Sequence, residues 1–251
     1  MSTALGLHST PRAGNFPDSA GDPEPLGLGV PRTRLRPLFL GLTQPLALLT
    51  ALALALPGLL PARSAERTSA PDPAGTLFSA MKLDGVIDRA VFDAAYARIA
   101  RAGEIGGILA IADMSQPSTA QRLVVVNLDT REVLTRTWVA HGQGSGELMA
   151  ERFSNRHNSH QTSLGLYRVG ARIRSPKHGA ALLLEGLDRG LNDQARAREV
   201  IIHGADYVSA DFVARHGRLG RSWGCPAVPQ AVMATLIESL ADGGLLYIHG
   251  A

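Results

Sequence analysis

Sulfur chemistry is almost absent from this chain, which has one cysteine, Cys225, in 251 residues. A lone thiol excludes an intramolecular disulfide. With no CxxC and no HxxxH pair, the usual spacing of zinc ligands is missing too. Aromatic residues make up only 5%, and the basic residues behind a net charge of +3 are dispersed. No stacking platform for nucleic acid is therefore expected, and the mild positive charge suits an anionic envelope polymer equally well. No internal repeat is visible, and no arginine follows Cys225.

The longest apolar stretch lies near the N-terminus. Residues 32–64 read RTRLRPLFLGLTQPLALLTALALALPGLLPARS. Arg32, Arg34 and Arg36 form a basic cluster, Leu46 to Leu56 an apolar segment, and Ala62 and Ser64 a small-residue exit. This is the order of a secretory signal, or of an uncleaved membrane anchor, for which Pro45 and Pro57 are less comfortable. Residues 1–31, with Pro11, Pro17, Pro23 and Pro25, read as a disordered extension. Removing the first 64 residues leaves 187, enough for one domain with its own core. An exported mature chain places the lone thiol in an oxidising compartment, where it must be buried or used.

Residues 65–75 read as a linker. From 76 to 104 the pattern turns helical, with Leu77, Met81, Val86, Ile87, Val91 and Ile99 at spacings of three and four and a break at Asp84 and Gly85. This preface reads as a packing element without chemistry. The remainder, 105–251, reads as mainly β. RLVVVNLDTREVLTRTWVAHG, from Arg122, is a hairpin turning at Asp129 and Thr130. Further strands are expected from Ser163, Ala180, Glu199 and Gly244. Pro229 to Gly244 has the apolar spacing of one helix, with Val232, Leu236, Ile237 and Leu240 on its face.

Cys225 lies just ahead of that helix in GRSWGCPAVP, between Gly224 and Pro226. Amides near a helix N-terminus favour a thiolate, and glycine lets backbone approach a substrate closely. A nucleophilic thiol needs a base and a group that orients the base. His203, ending the apolar strand VIIH and followed by Gly204, is the first choice. His216, in a segment read as a mobile loop, is second and His141, in VAHGQGSG, is third. The competing reading is a small buried cysteine and a structural histidine.

IIHGADYVS followed by GRSWGCPAVP resembles the signature of the murein L,D-transpeptidases, in which a His-Gly pair precedes Ser/Thr-His-Gly-Cys. The nearest likeness is to the divergent branch carrying Ser-x-Gly-Cys-Pro, the murein L,D-transpeptidase catalytic domain family. It extends from about Met114 to the C-terminus and includes VAHGQGSG, FSNRHNSHQTSLGLY and LEGLDRGLND. The resemblance implies a β-sandwich with a short helix after the catalytic cysteine, here behind the N-terminal helical preface. It implies Cys225 as nucleophile and His203 as base, beside Gly204. Ser222 and Gly224 would shape the loop, with amides of Gly224 and Cys225 as an oxyanion hole. A backbone carbonyl would orient the base, with Asp206 as the alternative.

Two positions depart from the better-known members: Trp223 stands where they have a second histidine, and Ala227 where they have a basic or amide residue. Arg218 and Arg221 are candidates to hold stem-peptide carboxylates instead, or are merely exposed loop cations. Trp223, Tyr207 and Ser163 are placed with them as substrate contacts, and the polar segment from Phe153 to Leu166 as a possible lining of the donor cleft. The implied reaction is acyl transfer on peptidoglycan stem peptides by a monomer in the periplasm or cell envelope, without metal or organic cofactor. Cys225 would form a thioester at the third stem residue and expel the terminal D-amino acid; water as acceptor would make an L,D-carboxypeptidase. A sortase-like enzyme would need an arginine on a later strand, and a papain-like peptidase a histidine well after the cysteine, where only His249 stands. A zinc site of His203, His216 and Cys225 lacks a fourth ligand. A non-catalytic wall-binding domain, with Trp223 filling the site, is the remaining rival.

Overall fold

A computed structural model describes residues 72–251. The readings of 1–31 as an extension, of 32–64 as a signal or anchor and of 65–71 as linker lie outside the described residues. Helix α1, Pro73–Ala80, begins inside the segment read as linker to residue 75. The Asp72 side chain accepts from Gly75 N at 2.8 Å and proline occupies the first turn, so a capping pair starts the helix before its apolar spacing begins. Helix α2, Arg89–Arg101, is capped by Asp88, which accepts from Ala90 N at 2.7 Å. The expected break at Asp84 and Gly85 falls between the two helices.

The strands are β1 (Ile108–Asp113), β2 (Leu123–Asn127), β3 (Glu132–Thr137), β4 (Gly165–Ser175), β5 (Gly179–Gly186), β6 (Ile201–Gly204), β7 (Ala227–Val228) and β8 (Leu245–His249). Helix α3 is Ala210–His216, and a 3-10 turn at Gln230–Val232 leads into α4, Met233–Leu240. The fold is mainly β, as the sequence indicates. The eight strands form one mixed sheet in the order β3-β2-β1-β8-β4-β5-β6-β7. The β1–β8 and β6–β7 pairs are parallel and the others antiparallel. Beyond β3, Ala140 bridges Ala227 of β7, so the two ends of the sheet nearly meet and it curls towards a barrel.

Both faces of the sheet are covered, which explains β1. Its ILAIAD run alternates Leu109 and Ile111 against α1 and α2 with Ala110 and Ala112 against the opposite core, so the strand shows no polar face to mark it. The first face packs on Phe78, Leu83, Val91, Phe92 and Ile99; the second holds Tyr167, Leu182, Ile202, Leu236, Leu246 and Ile248 beneath α4. Helix α3 is a correction to the expectation of a single helix in the body and of a mobile loop around His216. Ser209 Oγ caps it by accepting from Phe212 N at 3.3 Å, and none of its residues is buried, so no apolar stripe announces it. Among the described residues no helix is long and apolar enough to cross a membrane.

Candidate active site

His203 is the penultimate residue of β6, and β7 runs parallel beside it with Ala227 opposite His203. Cys225 lies two residues before Ala227, so the parallel pairing sets the cysteine loop alongside the strand that carries His203. Both line a cleft of about 760 Å³. Its walls also carry Trp223, Tyr207, Ser222 and Arg221, and, from the tip of the β4–β5 hairpin, Lys177 and His178.

His203 is buried, and its Nδ1 lies 3.0 Å from Gly204 O. A carbonyl oxygen only accepts, so in the neutral ring Nδ1 carries the proton and Nε2 is the free base. Burial pulls the ring's pKa down to about 4; the Gly204 bond opposes this, and His178 and Lys177 add to it. His203 is therefore neutral at neutral pH. The orienting group is Gly204 O, not Asp206. The His178 ring stacks on His203 at 3.8 Å between centroids.

Cys225 is half-buried, with Sγ 3.9 Å from Glu199 O. Burial pushes its thiol up, outweighing the lowering by the Ile201 N–H, the Arg198 guanidinium and its own N–H. This corrects the expectation that a helix N-terminus favours the thiolate: the 3-10 turn begins only at Gln230 and α4 at Met233. Among the described hydrogen bonds none joins Sγ to His203.

The cysteine loop is held by Ser222. Its Oγ donates to Cys225 O at 2.6 Å and accepts from Gly224 N at 3.0 Å, while its own N–H donates to His141 O at 3.0 Å. The Gly224 amide is thus already taken, a correction to its expected place in an oxyanion hole. The Cys225 amide is the one of the pair with no carbonyl or hydroxyl acceptor among the described hydrogen bonds. Gly224 has φ +123°, a conformation that favours glycine, and a Cβ there would stand 2.8 Å from Gln161 O and 3.1 Å from an Arg198 nitrogen.

The remaining candidates divide. Trp223 is 66% exposed, stacked on His160 at 4.9 Å, with Lys177 Nζ 5.0 Å from its ring centre. Burial pushes the Tyr207 hydroxyl up, leaving it a neutral donor in the cleft. Arg218 and Arg221, expected to hold stem carboxylates, both pair with Glu147, at 2.9 and 2.7 Å. Ser163 is buried away from the cleft, bonded to the Tyr167 hydroxyl at 2.8 Å and to Arg198 at 3.0 Å. The Phe153–Leu166 segment accordingly backs the cleft wall instead of lining it.

His141 is fully buried against Arg122, Nδ1 to Nη2 2.8 Å, and His216 lies tilted against Phe212 in α3, ring centres 4.2 Å apart; neither lines the cleft. Among the described residues no three His, Cys, Asp or Glu side chains cluster to hold a metal ion, so the His203, His216 and Cys225 arrangement does not form.

Sequence reasoning missed Arg198, Lys177 and His178. PKHG between two strand patterns signals a hairpin tip, but nothing local says that the tip leans over β6. Arg198 in RAREV carries no motif at all.

The architecture defines a mainly β protein with a thiol and a neutral imidazole lining one cleft beside two parallel strands. A family model for the L,D-transpeptidase catalytic domain matches residues 84–249, and the chain belongs to that family. The match begins well before Met114, so it takes in α2. Among solved structures, an L,D-transpeptidase from Mycobacterium smegmatis is similar at 16% identity and a TM-score of 0.37, over 58% of this chain and 59% of that one. L,D-transpeptidase 1 of Mycobacterium tuberculosis is similar at 13% identity and a TM-score of 0.34, over 58% and 62%. The chain thus spans less than two thirds of the length of either. Among curated proteins none matches.

Proposed function

We propose that this chain is a cysteine-dependent acyltransferase of peptidoglycan, an L,D-transpeptidase acting on stem tetrapeptides outside the cytoplasm. The supporting observation is the pairing of a neutral, Nδ1-anchored His203 with the chain's single thiol in one cleft. Export rests on the basic, apolar and small-residue order of residues 32–64.

In the reaction, the thiol turns from Glu199 O towards His203, and Nε2 takes its proton as Sγ attacks the carbonyl carbon of the third stem residue. The Cys225 N–H faces the developing oxyanion. His203 returns the proton to the departing amine of the terminal D-amino acid, leaving a thioester. An amine on a second stem then attacks, giving its proton to His203 and restoring the thiol. Water in its place gives hydrolysis by the same route.

The test is D-amino acid release from tetrapeptide stems by the purified protein and by Cys225→Ser. Release by the wild type, lost in the variant without loss of fold, is the expected result. Equal release by both would overturn the assignment. Stem binding without release, unchanged in Cys225→Ala, would favour the wall-binding reading.

A further inference from the structure

The cleft is lined by the cations Arg174, Lys177, Arg196, Arg198 and Arg221 against one carboxylate, Glu199. Arg221 is already paired with Glu147, and Arg196 lies 3.6 Å from Glu185. Arg198 differs from both. Its Nη1 donates to Ser154 O at 2.9 Å and to Ser163 Oγ at 3.0 Å, and its Nη2 to Gln161 O at 2.6 Å. These acceptors are neutral, and no carboxylate pairs with Arg198 among the described residues. A guanidinium has about five N–H donors, so roughly two remain without an acceptor among the described hydrogen bonds.

Position makes this charge useful. A Cβ on Gly224 would stand 3.1 Å from Arg198 Nη2, so the guanidinium lies beside the residue that precedes the nucleophile. It is half-buried, and its three hydrogen bonds fix it in place, which lowers the entropy lost when it grips a ligand. Partial burial without an anion is unfavourable for a cation, and a ligand carboxylate supplies one.

We propose that Arg198 is a specificity-determining residue that binds a free carboxylate of the donor stem next to Cys225, so that the protein selects stems not amidated there. The proposal rests on the stem-peptide reading above. Two carboxylates lie close to the scissile bond: the terminal one of the fourth residue, and a side-chain one where the third residue is a diamino diacid.

The full chain is mixed with three tetrapeptides, one free, one amidated at the terminus and one amidated at the third side chain, and kcat/KM for acylation is measured for wild type, Arg198→Gln and Arg198→Lys. In the wild type, one of the two amidations lowers kcat/KM by about 10- to 100-fold, and which one does so identifies the carboxylate. Arg198→Gln reacts with free and amidated stems alike, and Arg198→Lys keeps part of the preference. Affinities of Cys225→Ala for the three peptides repeat the comparison without turnover. Equal use of all three stems by the wild type, or an undiminished preference in Arg198→Gln, overturns the proposal and leaves the transpeptidase reading standing. A wild type with an alkylatable thiol that is acylated by no stem, together with a Cys225→Ala protein that binds none, overturns both.

Discussion

Burial acts on Cys225 and His203 in the same sense, favouring the neutral form of each. A neutral thiol sharing a cleft with a neutral imidazole differs from a preformed thiolate-imidazolium pair: in the proposed reaction the proton would move only as the bond to substrate forms. Alkylation of Cys225 by iodoacetamide should therefore keep rising with pH through the neutral range, and more slowly in His203→Ala. A plateau already reached at acid pH would contradict this. His203 and His141 also link stability to pH. Burial holds each at about 4, against an ordinary 6.5. Because the unfolded rings bind protons first, the stability they contribute is fully present above 6.5 and lost as pH falls from 6.5 through about 4. For His141, which faces Arg122 and Arg221, the loss is on the order of 3 kcal/mol. Thermal midpoints of His141→Gln should fall less steeply over that range than those of the wild type, whatever their value at neutral pH. Parallel curves would show that His141 does not link stability to pH.

Elements bring the site together through close backbone contacts that tolerate little change. A Cβ on Gly142 would stand 2.3 Å from His160 O and 2.8 Å from Gly224 Cα, both backbone atoms. At Gly204 the nearest atom, at 2.2 Å, is the end of the exposed Gln230 side chain, which can swing away, but Cγ of the buried Met233 stands at 3.0 Å and must give by a few tenths of an ångström. Gly142→Ala should cost about 2 kcal/mol or more and displace the cysteine loop, and Gly204→Ala less, about 1 kcal/mol. Denaturant unfolding checks the order, and a larger loss at Gly204 would contradict the packing described. Ser222→Ala removes both hydrogen bonds that the Ser222 hydroxyl makes within the loop and should cost about 1–3 kcal/mol while slowing acylation. Position in the sequence was enough to single out Cys225, His203 and Gly204, because a glycine-flanked cysteine and a strand-end histidine are local patterns. The Glu147 partner of Arg218 and Arg221, and the His178 stack on His203, join residues more than twenty positions apart that carry no pattern of their own. Strand β1 escaped notice for a related reason, since burial on both faces erases alternation.

Across the whole described body, the sheet separates the two larger of three apolar cores, and α1 and α2 supply one of them. Phe92 is fully buried there, with the Phe78 ring 5.5 Å away edge-on. Phe92→Ala should cost about 3–5 kcal/mol. A chain starting at residue 105 would expose Leu109, Ile111, Val124, Val126 and Leu166, and should be recovered only as aggregate. A truncated chain with the unfolding midpoint of the full one would show that the preface is dispensable. The family match from residue 84 is consistent with α2 being integral to the domain.

The proposed reaction acylates Cys225 with help from His203. Intact mass spectrometry of the wild type, Cys225→Ala and His203→Ala, each incubated with a tetrapeptide stem, tests it most directly. An adduct of the tripeptidyl mass is expected on the wild type, mapping to Cys225, absent from Cys225→Ala and slow to appear in His203→Ala. An adduct on another residue, or none on a folded wild type whose thiol still titrates, would contradict it.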